Sequence, residues 1–288
     1  MELKSYAHIA RNKLLFRYAP ALRPLAYALF RVNERPVVVL GNQKAGTSAI
    51  AALLARATGG SYDIDVAGFR NPEYAALHSG RADLRDLVER RARIEFSKDV
   101  VKEPNLTFLY PQLRAAFPEA RYVVIVRDPF HNIRSTLNRL ALPGDLARLS
   151  PKQLAGMSDI WRAILLNEWV GDPAREDLNY VGRSAERWQR AADVHLDHPD
   201  ETTLIRYEDF VADKVGAIHR LAGELGLAVT ADIAARVDVQ FQPRGKRATD
   251  LRAFFGANYE VIARECRRGL AALYPARQSD PKPHPESP

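Results

Sequence analysis

The apolar positions of the chain fall into short blocks with two different periods. Val37 to Leu40 and Tyr122 to Val126 are continuous apolar runs. Ser61 to Val66 and Thr202 to Ile205 are shorter segments of strand character, and Val100 and Val101 close another. Runs without polar alternation read as strands covered on both faces, and so as a parallel sheet. Between them the spacing becomes helical: from about Thr47 to Thr58, from Leu106 to Phe117, along Arg81 to Arg93 around Leu84, Leu87 and Val88, and through an insert from Ser150 to Arg190. Strand and helix in alternation predict one three-layer α/β/α fold around a parallel sheet of about five strands. Ligands of such folds bind beyond the carboxyl ends of the strands.

The two ends depart from this pattern. Tyr18, Leu22, Leu25 and Leu29 recur at helical spacing, but Arg17, Pro20, Arg23 and Pro24 interrupt the stretch. It is too broken for a membrane span or a secretory signal. A helical arm over residues 1–35 is expected, its apolar face set against the core or against an anionic membrane surface. Residues 278–288 hold four prolines and no large apolar side chain, which predicts a disordered tail.

Composition narrows the chemistry. With 288 residues, 47% of them hydrophobic, the chain can build a core, and disorder is excluded. Its single cysteine, Cys266, rules out an internal disulfide framework and a cysteine zinc site, and fits a reducing, cytoplasmic setting. His131, His195, His198 and His219 share no metal-ligand spacing. The net charge of +7 points to an anionic partner. Most of that excess lies in the arm, on Lys4, Arg11, Lys13, Arg17, Arg23, Arg31 and Arg35 against Glu2 and Glu34. The remainder is nearly neutral, so nucleic acid is not the expected partner, whereas peripheral contact of the arm with the inner face of a membrane is.

Two blocks carry chemistry. Val37–Leu40 runs into Gly41-Asn42-Gln43-Lys44-Ala45-Gly46-Thr47-Ser48, a strand, a small-residue loop and a helix start. Backbone N–H groups of such a loop cradle a phosphate, Lys44 adds a mobile cation, and Thr47 and Ser48 add hydroxyls. The ATPase loop places its lysine directly after the second glycine, whereas Lys44 precedes Gly46. The second block is Arg127-Asp128-Pro129, at the end of the strongest strand, with Ser135 in the helix that Pro129 starts. Arg127 and Ser135 can clamp one phosphate from two sides. A nucleotide-dependent phosphotransferase using the same cradle, and a non-catalytic nucleotide-binding protein peripheral to a membrane, are the alternatives at this point.

Together these blocks resemble the sulfotransferases that use 3′-phosphoadenosine 5′-phosphosulfate. Lys102-Glu103-Pro104 looks like the Lys-x-Pro step of bacterial members, and Arg206-Tyr207-Glu208-Asp209-Phe210 like the family's Arg-Tyr-Glu-Asp-Leu block. The Arg244-Gly245-Lys246 turn resembles its basic glycine-containing loop. The resemblance implies a P-loop-like fold over residues 36–277 and a co-substrate held by Lys44, Ala45, Gly46, Thr47 and Ser48 at its 5′ end. It places Arg127, Ser135, Arg244, Gly245 and Lys246 at the 3′-phosphate, and Lys102 beside the transferring sulfuryl group. It implies in-line transfer without metal to a hydroxyl acceptor: a carbohydrate or glycolipid first, a small metabolite next.

Two departures from the family pattern stand out. Cytosolic relatives carry a base histidine where Pro104 stands here, and glycan- and tyrosine-directed relatives use a glutamate after the second strand. Asp63 and Asp65 occupy that region and the first glutamate is Glu73, so Asp65 is the preferred base, Glu103 the alternative, and His78 and His131 the outsiders. Ala49 replaces the tryptophan that packs on adenine in cytosolic relatives. Trp161, Trp169 and Trp188 are expected in the core.

Overall fold

The computed structural model describes residues 27–237 and 250–275. The arm residues 1–26, the tail 278–288 and the turn Arg244–Lys246 lie outside the described residues. In chain order the elements are β1 (Val37–Gly41), α1 (Thr47–Ala57), β2 (Tyr62–Ile64), α2 (Asn71–His78), α3 (Leu84–Leu87), β3 (Val100–Lys102), α4 (Tyr110–Ala116), β4 (Arg121–Val126), α5 (Pro129–Arg139), α6 (Pro151–Ala155), α7 (Asp159–Leu165), α8 (Tyr180–Asp197), β5 (Thr202–Arg206), α9 (Tyr207–Ala212), α10 (Lys214–Glu224), α11 (Leu251–Phe255), α12 (Asn258–Glu265) and α13 (Arg267–Leu273).

The five expected strands form one parallel sheet in the order β2-β3-β1-β4-β5. Alternate residues of the same strand serve opposite layers, because side chains of a strand point to opposite faces. Val37, Val39, Val123, Ile125 and Ile205 pack with Ile50, Leu53 and Leu54 of α1 and Ile218 and Leu221 of α10. Val38, Leu40, Val124 and Val126 pack on the other face with Leu113 of α4, Ile133 of α5 and Trp188 of α8. This double burial explains why the strand segments carry no polar alternation.

The order also makes β1 the switch point. β3 and β4 flank it, so chain leaving β1 turns one way and chain leaving β4 the other, opening a crevice at the carboxyl ends. Three cations come from those adjoining ends: Lys44 after β1, Lys102 ending β3 and Arg127 after β4.

Some helical expectations change. The stretch from Leu106 to Phe117 begins as a 3-10 segment, Pro104–Leu109, and becomes α-helical only at Tyr110. Residues 81–93 form one turn of α3 followed by a π-helical turn, Val88–Ala92. The insert divides into α6, α7 and the start of α8. Leu29, the one member of the arm's apolar stripe within the described residues, is 78% exposed and does not cover the core. Among the described residues no helix is long and apolar enough to cross a membrane.

Candidate active site

The loop after β1 is shaped by two glycines that no other residue can replace without displacing its neighbours. Gly41 has φ +129, and a Cβ there would overlap the carbonyl of Ile125 on β4. Gly46 has φ +95, and a Cβ there would overlap the ring of Tyr207. Thr107 fixes the start of the loop, accepting the Gly41 N–H at 2.8 Å and donating to its carbonyl at 3.2 Å. Lys44 itself sits at φ +67, a strained conformation for a side-chain-bearing residue. Gly46 leads into α1 without a side-chain cap, and the first turn of α1 has no acidic residue. The first N–H groups of α1 and the positive end of its dipole therefore face outward, the arrangement that receives an anion.

Cations converge on this loop. Burial, then Arg139, Arg127 and Lys102, push the Lys44 ammonium below its usual pKa. Arg127 donates to the Lys44 carbonyl at 3.1 Å and lies 4.5 Å above the Tyr207 ring. Burial, then Arg127, lower the pKa of Arg134 in the same way. Cations brought this close repel one another, and a polyanion between them relieves that cost.

Helix α5 supplies much of this surface. Asp128 caps it, accepting the His131 N–H at 3.1 Å and facing His131 Nδ1 at 3.0 Å. Asn132 donates to the Gln43 carbonyl at 2.9 Å and accepts from Asn42 at 2.9 Å. Asn132, Ser135 and Arg139 are spaced i, i+3 and i+7, so all three share the helix face turned to the loop. Ser135 lies on α5, in the second turn after Arg127-Asp128-Pro129. Arg134 and Arg139 were not anticipated, although that same spacing marks Arg139.

At the other side of β1, the Lys102 side chain is 6% exposed and pairs at 2.5 Å with Asp65, whose side chain is 51% exposed. Asp65 has φ +64 and follows β2. Glu103 is 4% exposed, and both its oxygens are engaged: Oε1 accepts the Asn105 N–H at 3.0 Å, Oε2 the Val66 N–H at 3.0 Å. Burial, then Asp65, raise the Glu103 pKa. Asp63 is buried beside Glu95, away from solvent. Glu73 caps α2 through the Arg70 N–H and pairs with Arg91.

The two histidines are placed differently. His78 is stacked on Trp169 with ring centroids 6.0 Å apart, and burial, then Arg187, lower its pKa to about 4. His131 belongs to the cap of α5. Of the tryptophans, Trp188 is buried and donates to the Arg127 carbonyl at 2.8 Å, whereas Trp161 and Trp169 are half-buried. The Arg206–Phe210 block braces the loop: Tyr207 packs on Gly46, Glu208 accepts the Asp128 N–H at 3.0 Å, and Arg206 pairs with Asp209.

A model of the sulfotransferase family matches residues 61–231, more than half of the chain. The chain belongs to that family. This sulfotransferase is similar in fold to one from Mycobacterium avium, at 15% identity over 88% of this chain and 80% of that one, with a TM-score of 0.50. A sulfotransferase from Alicyclobacillus acidocaldarius is 17% identical over 83% of this chain and 98% of that one (TM-score 0.44). A mouse sulfotransferase complexed with PAP is 14% identical over 88% of each (TM-score 0.46). No curated protein matches the sequence.

Proposed function

We propose that this sulfotransferase moves a sulfuryl group from 3′-phosphoadenosine 5′-phosphosulfate to a hydroxyl of a carbohydrate or glycolipid, with a small metabolite as the next acceptor class. The observation that carries the donor assignment is the cation cluster around the Gly41–Gly46 loop, where Arg139, Arg127 and Lys102 all act on Lys44. A donor with phosphate at both ends suits charges spread along α5 as well as at the loop. The chemistry of these groups fits such a donor: forked guanidinium donors, an ammonium and uncapped N–H groups, with glycines where the backbone must turn sharply.

When bound, the donor supplies an activated sulfuryl group. Lys44, with the N–H groups and hydroxyls from Ala45 to Ser48, would take up charge on the departing 5′-phosphate. Arg127 and Ser135, with Arg244, Gly245 and Lys246, would hold the 3′-phosphate. Lys102 would meet the sulfuryl oxygens, and Asp65, already paired with Lys102 and open to solvent, would accept the proton of the acceptor hydroxyl. The acceptor oxygen gains the sulfur, the bond from sulfur to the 5′-phosphate oxygen breaks, and the proton leaves to Asp65. Positioning and preorganised charge carry the rate.

The phosphotransferase reading needs a carboxylate at the end of β4 for magnesium. Asp128 holds that position, and its Oδ1 is committed to the cap of α5. The basic arm, residues 1–35, is assigned peripheral contact with an anionic membrane on its charge alone. Lys44→Ala is expected to weaken 3′-phosphoadenosine 5′-phosphate binding by about 100-fold or more while leaving the thermal midpoint within about 3 °C. Undiminished binding in that variant would remove the mechanism.

A further inference from the structure

Arg187 is the one arginine among the largest fully buried side chains of the described residues, at 1% exposure. It projects from α8 into the space between the loop after β1 and the turn after β3. Its Nε donates to Gln43 Oε1 at 3.3 Å, Nη2 to Asn105 Oδ1 at 3.0 Å and Nη1 to Asn167 Oδ1 at 3.4 Å. Gln43 in turn donates to the same Asn105 oxygen at 2.6 Å. The guanidinium lies 3.9 Å above the Phe108 ring. Its hydrogen-bond partners are amide oxygens, and the carboxylate that acts on it is Glu103, which follows Lys102. Burial pulls the Arg187 pKa down to about 9, with Glu103 and Tyr74 opposing, so the group is a cation at neutral pH.

A buried cation is an expensive way to fill a core, and an apolar side chain of similar volume is often neutral or stabilising in its place. What the guanidinium adds is a planar fork that receives three segments at once, which neither methionine nor lysine can do. Two of the three segments carry the machinery, since Gln43 precedes Lys44 and Asn105 follows Lys102 and Glu103; the third, at Asn167, anchors the approach to α8 through Glu186 at 3.0 Å. The next residue, Trp188, holds the Arg127 carbonyl. One turn of α8 therefore touches all three strand-end cation segments.

We propose that Arg187 is a positioning residue for sulfuryl transfer, fixing the Lys102 turn in register with the donor loop so that both lysines meet one donor. This rests on the donor assignment above.

Hydrogen exchange of the full chain with and without 3′-phosphoadenosine 5′-phosphate tests it, using Arg187→Lys and, to cut the tie from the loop side, Gln43→Met. In the unsubstituted chain the bisphosphate should slow exchange in residues 41–50 and also in residues 103–110. With the bisphosphate at saturation, either variant should keep the slowing in the loop but lose about four-fifths or more of the slowing in residues 103–110. A merely structural arginine would instead speed exchange along α8 in the absence of ligand and leave the ligand-induced difference intact, which would overturn the proposal. If Arg187→Lys does not fold, Gln43→Met decides. Binding without any slowing at 103–110 in the unsubstituted chain overturns the positioning role alone. No binding at all overturns the donor assignment and this inference with it.

Discussion

Asp65 and Glu103 show how burial separates two carboxylates that the sequence ranks only slightly apart, Asp65 first. Each adjoins Lys102, and the sequence offers no way to tell which one solvent and acceptor can reach. In the fold, the Asp65 side chain is half-exposed and paired with Lys102, whereas Glu103 is sealed off with both oxygens on backbone N–H groups. Asp65→Asn is therefore expected to lower turnover by about 10²- to 10⁴-fold with little change in the thermal midpoint. Glu103→Gln should act mainly on stability: an amide nitrogen cannot accept the N–H that one carboxylate oxygen now takes, a loss of about 1–3 kcal/mol in urea unfolding. The reverse pattern, with activity lost in Glu103→Gln and kept in Asp65→Asn, would exchange their roles. Arg187 was not legible at all, because a lone arginine in an amphipathic helix reads as solvated.

Among elements, the strands were legible and several helices only in part. Double burial leaves strands such as Tyr122 to Val126 an unbroken apolar run, while a helix such as Arg81 to Arg93 leaves only a stripe that cannot report a π-helical turn. The short 3-10 segment Glu95–Ser97 was missed entirely, and it holds an unusual group. Burial, then Asp63, raise the Glu95 pKa to about 7. Its Oε1 accepts the Ala67 N–H at 3.0 Å, and Oε2 is buried without a hydrogen-bond partner. The folded state thus binds this proton more tightly than the unfolded chain. The stability it contributes is fully present below the unfolded pKa near 4.5 and is lost as pH rises to about 7. Urea midpoints should fall between pH 5 and pH 8 by an amount worth about 1–3 kcal/mol, and Glu95→Gln should flatten that slope. An unchanged slope in the variant would place the titration elsewhere.

On the scale of the whole molecule, the net charge of +7 divides into a basic arm and a nearly neutral body whose cations are aimed. The sheet order does the aiming, since β1 between β3 and β4 brings Lys44, Lys102 and Arg127 to adjoining strand ends. That order is not written in local sequence. Nothing in the apolar runs says that the third strand returns beside the first, and it was the likeness of separate motifs to one family that implied a shared site. Calorimetric titration with 3′-phosphoadenosine 5′-phosphate, and with ATP, each with and without magnesium, tests the shared site most directly. Tight binding of the bisphosphate that magnesium does not alter, with ATP weaker by about 100-fold or more, is the expected result for a pocket that reads phosphate at both ends. Magnesium-dependent preference for ATP, or no binding of the bisphosphate, would contradict it.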